Sequence, residues 1–170
     1  MTPIRLWVLT ILAALGSGLV AGILFAFSTF VMKALGRTAP ETGIAVMQSI
    51  NVAMLNPRFF SAFFGTGFLC IGLAAFVWLD WGAPGRVVLL VAATLYVVGT
   101  ILVTAVFNVP LNNALAATDA GSAAGADLRT RYLSTWTFRN HVRTAPASFT
   151  DSRASQERMK REAWSLTVRG

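Results

Sequence analysis

Three stretches of this chain carry no charged residue: Leu6 to Met32, Phe59 to Leu79 and Val87 to Phe107. Each is long enough to cross a hydrocarbon layer of about 30 Å, which at about 1.5 Å per residue needs roughly twenty residues. Backbone placed in lipid must satisfy its own hydrogen bonds, and nothing in these runs alternates as a barrel strand would, so all three are expected to be transmembrane helices. The first run far exceeds a signal-peptide core and no small-x-small cleavage site follows it, so it reads as an uncleaved span. With 55% hydrophobic and only 12% charged residues, and a mean hydropathy of +0.64, a water-soluble surface is not what this chain describes. The expected fold class is all-α: an integral membrane helical bundle of three transmembrane helices plus short interfacial helices.

Charge is distributed unevenly. Fourteen basic residues against seven acidic ones give a net +7, and nine of the fourteen follow residue 128. The single cysteine, Cys70, rules out an intrachain disulfide. One histidine and seven scattered acids do not supply a two-His-one-carboxylate or di-iron site within one chain, so no metal and no cofactor are expected. The Arg-rich C-terminal region is explained by attraction to anionic phospholipid, and no nucleic acid is expected as a partner. Gly16-Ser-Gly18-Leu-Val-Ala-Gly22 lies within a span, follows no strand and lacks the spacing of a dinucleotide loop.

The segments between spans also have readable signals. Ala14, Gly18, Gly22 and Ala26 recur every four residues along the first span, a small-residue stripe on which another helix can pack closely. Asn56 and Pro57 make a good start for the second span, as cap and first helical residue. Trp78 and Trp81 mark its far end at the headgroups. The turn-rich Asp80-Trp-Gly-Ala-Pro-Gly85 makes spans two and three a tight antiparallel hairpin. Pro110 disfavours helical geometry at Val109, so the third span is expected to end near Asn108, with Leu111 to Ala117 a separate short helix. Glu41 to Leu55, with Ile44, Met47, Ile50 and Met54 at helical spacing, reads as an amphipathic helix at the interface. Asp127 is the expected N-cap of a further helix reaching about Arg143.

Three spans put residues 33 to 58 and everything after 107 on one side of the membrane. That side carries twelve Lys or Arg against two, Arg5 and Arg86, on the other. The positive-inside bias makes the crowded side cytoplasmic: a multi-pass cell-membrane protein with its N-terminus outside and its C-terminal tail in the cytoplasm. The same side gathers the specific polar residues: Gln48, Asn51, Asn56 and Arg58; Asn108, Asn112 and Asn113; Trp136, Asn140, His141 and Arg143. Asparagine is costly in lipid unless its amide is paired, so so many at span ends suggest a hydrogen-bonded polar cup, although each alone could be a helix cap. Spacings of four and three place Trp136, Asn140 and Arg143 on one helical face, with His141 roughly opposite Arg143. His141 is thus either a general base, given an unperturbed pKa of about 6.5, or a surface residue.

The order Gly18-Leu-Val-Ala-Gly22-Ile-Leu-Phe-Ala-Phe-Ser28, Met47-Gln-Ser-Ile-Asn51, Asn56-Pro-Arg-Phe, Phe107-Asn108-Val-Pro110-Leu-Asn112 and Trp136-Thr-Phe-Arg-Asn140-His-Val-Arg143 resembles the anthrone oxygenase-like family over roughly residues 8 to 145. That resemblance implies a small four-helix membrane protein. Fungal members are associated with oxidising polyketide anthrones to anthraquinones without a recognised metal or flavin. It puts Asn108, Pro110, Asn112, Trp136, Asn140 and Arg143 at the family's motif positions. An anthrone methylene between two rings loses a proton to give an electron-rich anion that reacts directly with oxygen, so the protein needs a greasy slot, a base and an oxyanion donor. The expected partners are therefore membrane lipids, a small lipophilic substrate and molecular oxygen. Catalytic candidates are His141, Arg143 and Asn140; Asn51, Asn56, Asn108, Asn112 and Trp136 are substrate-binding candidates.

The chain departs from that pattern after Arg143, where the family continues into a fourth apolar span. No window of residues 144 to 170 is apolar enough, because each mid-membrane Arg or Lys would cost about 2.5–3.5 kcal/mol. The expected organisation is a transmembrane domain over 1–145 and a basic polar tail over 146–170. The tail is either an interfacial segment touching anionic lipid through Met159, Ala163, Trp164 and Leu166, or the product of a shifted reading frame. Either way a helix face is left for a further partner, a homo-oligomer being one. Two functional classes stand: a cofactor-independent oxygenase of a lipophilic phenolic substrate, and a non-catalytic membrane protein binding a lipid, quinone or partner helix.

Overall fold

The computed structural model describes residues 3–80, 82 and 85–144, all of whose regular structure is helical. Five helices follow one another: α1, Ile4–Gly36; α2, Pro40–Met54; α3, Pro57–Leu79; α4, Arg86–Ala116; and α5, residues 123–144. Three of them, α1, α3 and α4, are long and apolar enough to cross a membrane. The expected tail over 146–170 and the Trp81 anchor lie outside the described residues.

The bundle has two halves, each with its own core. In the first half α3 packs between α1 and α4. Its core joins Ala13 with Cys70, Leu73, Ala93 and Tyr96, and continues through Val20, Leu24 and Phe63. Outward-facing Leu15, Leu19, Phe68, Val98 and Leu102 stay exposed, as expected where hydrocarbon is the solvent. In the second half α2 and α5 close over the extended ends of α1 and α4. Met32, Leu35, Ile44, Met47, Leu115, Tyr132 and Trp136 form one core there, with Phe27, Ile50, Leu111 and Leu133 packed against it.

Several local expectations change in the fold. The close approach of α1 to α3 is made by the strip Ala13, Gly16, Ser17, Val20 and Leu24, one residue away from the small-residue stripe read in the sequence. A Cβ at Gly16 would overlap the Thr66 hydroxyl, whereas one at Gly22 would meet nothing. Helix propensity cannot tell these two glycines apart; only the neighbour can. The apolar face of α2 is spent on protein rather than lipid, since Ile44 and Met47 are buried in the second core.

The third span does not end at Asn108. Val109 keeps helical angles of φ −60 and ψ −46, and the helix runs on to Ala116. Before Pro110 the ladder loosens into π-type turns over Leu95–Leu102 and Thr104–Asn108, and this wider register accommodates the proline that would break a regular helix. The expected separate helix after Pro110 is therefore the last turns of α4. α1 likewise passes through a π segment at Phe27–Val31 and continues past Met32 to Gly36.

Helix ends are capped by side chains. Asn56 Oδ1 accepts from the Phe59 amide at 2.9 Å and Pro57 opens α3, as read from the sequence. α5 starts earlier than Asp127: the Ser122 hydroxyl accepts from Gly125 N at 3.0 Å and holds the N-cap place, leaving Asp127 inside the helix. The Arg129 guanidinium donates to Leu35 O (2.8 Å) and Thr38 O (3.0 Å) at the C-terminus of α1, a cation where the helix dipole favours one. Gln48 does the same for α4, donating to Leu115 O and Thr118 O. Between α3 and α4, Asp80 Oδ1 accepts from Gly82 N and Gly85 takes a left-handed φ of 72, which only glycine adopts without strain.

Candidate functional site

α5 runs antiparallel to α4. Tyr132 and Trp136 meet Asn112, Arg139 donates to Phe107 O, and Arg143 meets Thr104 and Thr100. As α5 advances it therefore descends from the second half of the bundle into the first. Its last described turn lies at the depth of Thr100, near the middle of the α4 span, and of Leu24 on α1. The described part of α5 thus packs its last turns against α1 and α4, although the segment is too polar to count among the three candidate spans.

Where α5 enters, the polar residues converge. Asn140, 0% exposed, donates through Nδ2 to Leu24 O at 2.6 Å and to the Ser28 hydroxyl, and its Oδ1 accepts from Arg143 Nε at 2.6 Å. Arg143, 7% exposed, also donates from Nη1 to Thr104 Oγ1 at 3.1 Å. Its guanidinium lies 5.0 Å from the centre of the Trp136 ring. Asn140 is the joint that ties α5 to α1, and Arg143 ties it to α4. Among the described residues its partners are the neutral Asn140 and Thr104, and no carboxylate pairs with it.

The indole of Trp136 is held on three sides. Its Nε1 donates to Asn112 Oδ1 at 3.0 Å, Phe27 packs 5.6 Å from it, and Tyr132 stacks at 6.0 Å with an interplanar angle of 21°. The Tyr132 hydroxyl donates to the same Asn112 oxygen at 2.7 Å and has the Asn51 amide beside it. Burial raises the Tyr132 phenol above its ordinary range, against weaker lowering by Asn51 and Arg143, so at neutral pH it remains a donor.

Two amides in this region are incompletely used. Asn108 is 1% exposed, and among the described residues neither its Nδ2 nor its Oδ1 has a hydrogen-bond partner within bonding geometry; the same holds for the Nδ2 of Asn51. Of the eight catalytic and substrate-binding candidates, the fold thus brings together Asn51, Asn108, Asn112, Trp136, Asn140 and Arg143 and leaves two apart. Asn56 is occupied as a helix cap, donating to Ala53 O and accepting from Phe59 N, and His141 is exposed on the other side of α5.

Sequence reasoning missed Ser28, Thr100, Thr104 and Tyr132. A signal was present: Thr100, Thr104, Asn108 and Asn112 form a four-residue polar period in an otherwise apolar span, and Tyr132 precedes Trp136 by one turn.

A sequence profile described as anthrone oxygenase matches residues 57–149, more than half of the chain. The chain belongs to the anthrone oxygenase family. The match covers α3, α4 and α5, and with them Asn108, Asn112, Trp136, Asn140 and Arg143; α1, α2, Asn51 and Asn56 lie before it. No curated protein and no solved structure matches the chain.

Proposed function

We propose that this family member is a membrane oxygenase that converts an activated methylene of a lipophilic phenolic, polyketide-like substrate to a ketone without a cofactor. In such a reaction the methylene loses a proton, and the resulting enolate gives its electrons to molecular oxygen. One oxygen atom stays on carbon as the new carbonyl, and the other leaves with the two hydrogens as water. The observation that carries this reading is Arg143: a buried guanidinium beside an aromatic face, with its donors braced by Asn140 and Thr104 and no carboxylate against it among the described residues. Such a group is preorganised for an oxygen that becomes negative during the reaction. Asn140 orients it, and the buried Trp136 beside it keeps water away. His141 faces away, so the proton is transferred to water. Membrane lipid delivers the substrate, and the loop-rich, cation-rich side of the bundle faces the cytoplasm of the cell membrane.

The test is oxygen uptake by purified protein in lipid nanodiscs with a soluble anthrone. Arg143→Ala is expected to lower the rate about a hundredfold, as loss of an oxyanion donor does, and His141→Ala to leave it unchanged. Equal rates for the wild type and both variants would remove the support for these roles. The tight mutual packing of the cluster favours a second reading, a non-catalytic protein that binds a lipid, quinone or partner helix at the same place. Substrate-dependent oxygen consumption separates the two.

A further inference from the structure

A groove of about 400 Å³ runs between α3 and α4 on the outside of the bundle. Ile71, Ala75 and Trp78 line it from α3, and Leu90, Ala93 and Val97 from α4. Thr66 of α3 meets Gly16 of α1; at about 100° per residue Ala75, nine positions on, points the opposite way. The groove is therefore turned from α1, and Ile71 and Trp78 remain exposed along it. Two alanines at its centre leave a channel where larger side chains would have closed the gap.

Its dimensions select the occupant. The lining from Leu90 to Val98 is about 12 Å of helix, most of one leaflet's share, about 15 Å, of the hydrocarbon core. Spread along that length, the volume has a section of about 33 Å² and a width of about 6 Å, too narrow for a helix of about 10–12 Å with its side chains. A hydrocarbon chain fits. At the mouth stands a cation: Arg86 lies one turn before Leu90 on the same face of α4, and its guanidinium is 6.0 Å from the centre of the Trp78 ring. Asp80, the one acid at this end among the described residues, is turned into the hairpin, where Oδ1 accepts from Gly82 N at 3.2 Å. We infer that the α3–α4 groove is a binding site for one anionic phospholipid, with an acyl chain between the helices and the phosphate against Arg86. A choline headgroup would bring its own cation towards the guanidinium, whereas a glycerol headgroup brings none, so the site discriminates by headgroup charge.

The full chain in detergent micelles, titrated with phosphatidylglycerol or phosphatidylcholine of identical chains and read by native mass spectrometry, tests this. Wild type is expected to retain one phosphatidylglycerol about fivefold more tightly than phosphatidylcholine, the worth of one basic residue at an anionic headgroup. Arg86→Gln removes that preference and Arg86→Lys keeps it. Ala75 is exposed, so Ala75→Phe fills the groove without entering the core; it is expected to weaken both lipids about tenfold. Glycerol phosphate, the headgroup anion without a chain, does not displace the lipid. Equal affinities in wild type, or a preference that survives in Arg86→Gln, overturn the headgroup assignment. Unchanged lipid binding in Ala75→Phe overturns the groove as the site. Displacement by glycerol phosphate would give the place to a free anion, and a dimer that forms on delipidation and is broken by Ala75→Phe would give it to a second copy; either result overturns the proposal.

Discussion

Asn140→Ala breaks the point at which α5 is attached to the spans. Its side chain makes one charge-assisted bond with Arg143 and two neutral bonds to α1, at Leu24 O and Ser28. A hydrogen bond to a charged group contributes about 1.5–3 kcal/mol, and interhelical hydrogen bonds within membranes average only about 0.6 kcal/mol. Truncation is therefore expected to cost about 3 kcal/mol, dominated by the bond to Arg143. Reversible unfolding in mixed micelles, followed by near-ultraviolet circular dichroism at the tryptophans, measures it. The decisive comparison is a double-mutant cycle. With Arg143→Ala the coupling should reach about 1.5 kcal/mol or more, and with Ser28→Ala about 0.6 kcal/mol. A cost below about 1 kcal/mol for Asn140→Ala, or no coupling to Arg143, would refute the argument that this amide joins α5 to the bundle.

Gly16→Val is expected to destabilise by about 1–3 kcal/mol through its clash with Thr66, while Gly22→Ala stabilises by up to about 1 kcal/mol because its surroundings are open; a reversed order in melting experiments would move the α1–α3 contact back to the glycine stripe. Asn56→Ala should lower stability by about 1 kcal/mol as a lost N-cap, yet leave oxygen uptake per folded molecule unchanged. Tyr132 sets a pH dependence: its folded phenol titrates above the unfolded value of about 10, so its contribution is complete below that pH. Stability then falls as pH rises further, because only the unfolded chain releases the proton, and Tyr132→Phe removes this part of the slope.

The parts of the fold set by solvent were legible in the sequence. Uncharged runs identified α1, α3 and α4, and the Asn56-Pro57 pair located the start of α3, because both depend on local chemistry. α5 was legible as a helix reaching about Arg143, but its docking was not, since Arg139, Asn140 and Arg143 give it the hydropathy of a loop and it enters the bundle on the strength of specific partners on α1 and α4. Pro110 misled for a similar reason: a rule about the residue before proline assumes a regular helix, and α4 is widened there. Helical spacing correctly joined Trp136, Asn140 and Arg143 and separated His141. It could not distinguish Asn56, used up as a cap, from Asn108, left with unspent bonds, because burial and partners come from the tertiary fold.

The composition of the Arg143 environment is itself informative. An arginine at this depth is costly, and a fold selected only for stability would pair it with a carboxylate or replace it with an apolar residue. Asn140 and Thr104 do neither: they occupy N–H groups and fix the direction of the guanidinium without cancelling its charge. A carboxylate would hold the cation in a closed ion pair that a transient enolate would have to displace. Neutral acceptors can be exchanged for an anionic oxygen with a net electrostatic gain, and the Trp136 face beside them excludes the water that would otherwise screen it. Among the described residues, the pattern of neutral partners around Arg143 is thus better suited to a charge that comes and goes than to one that stays.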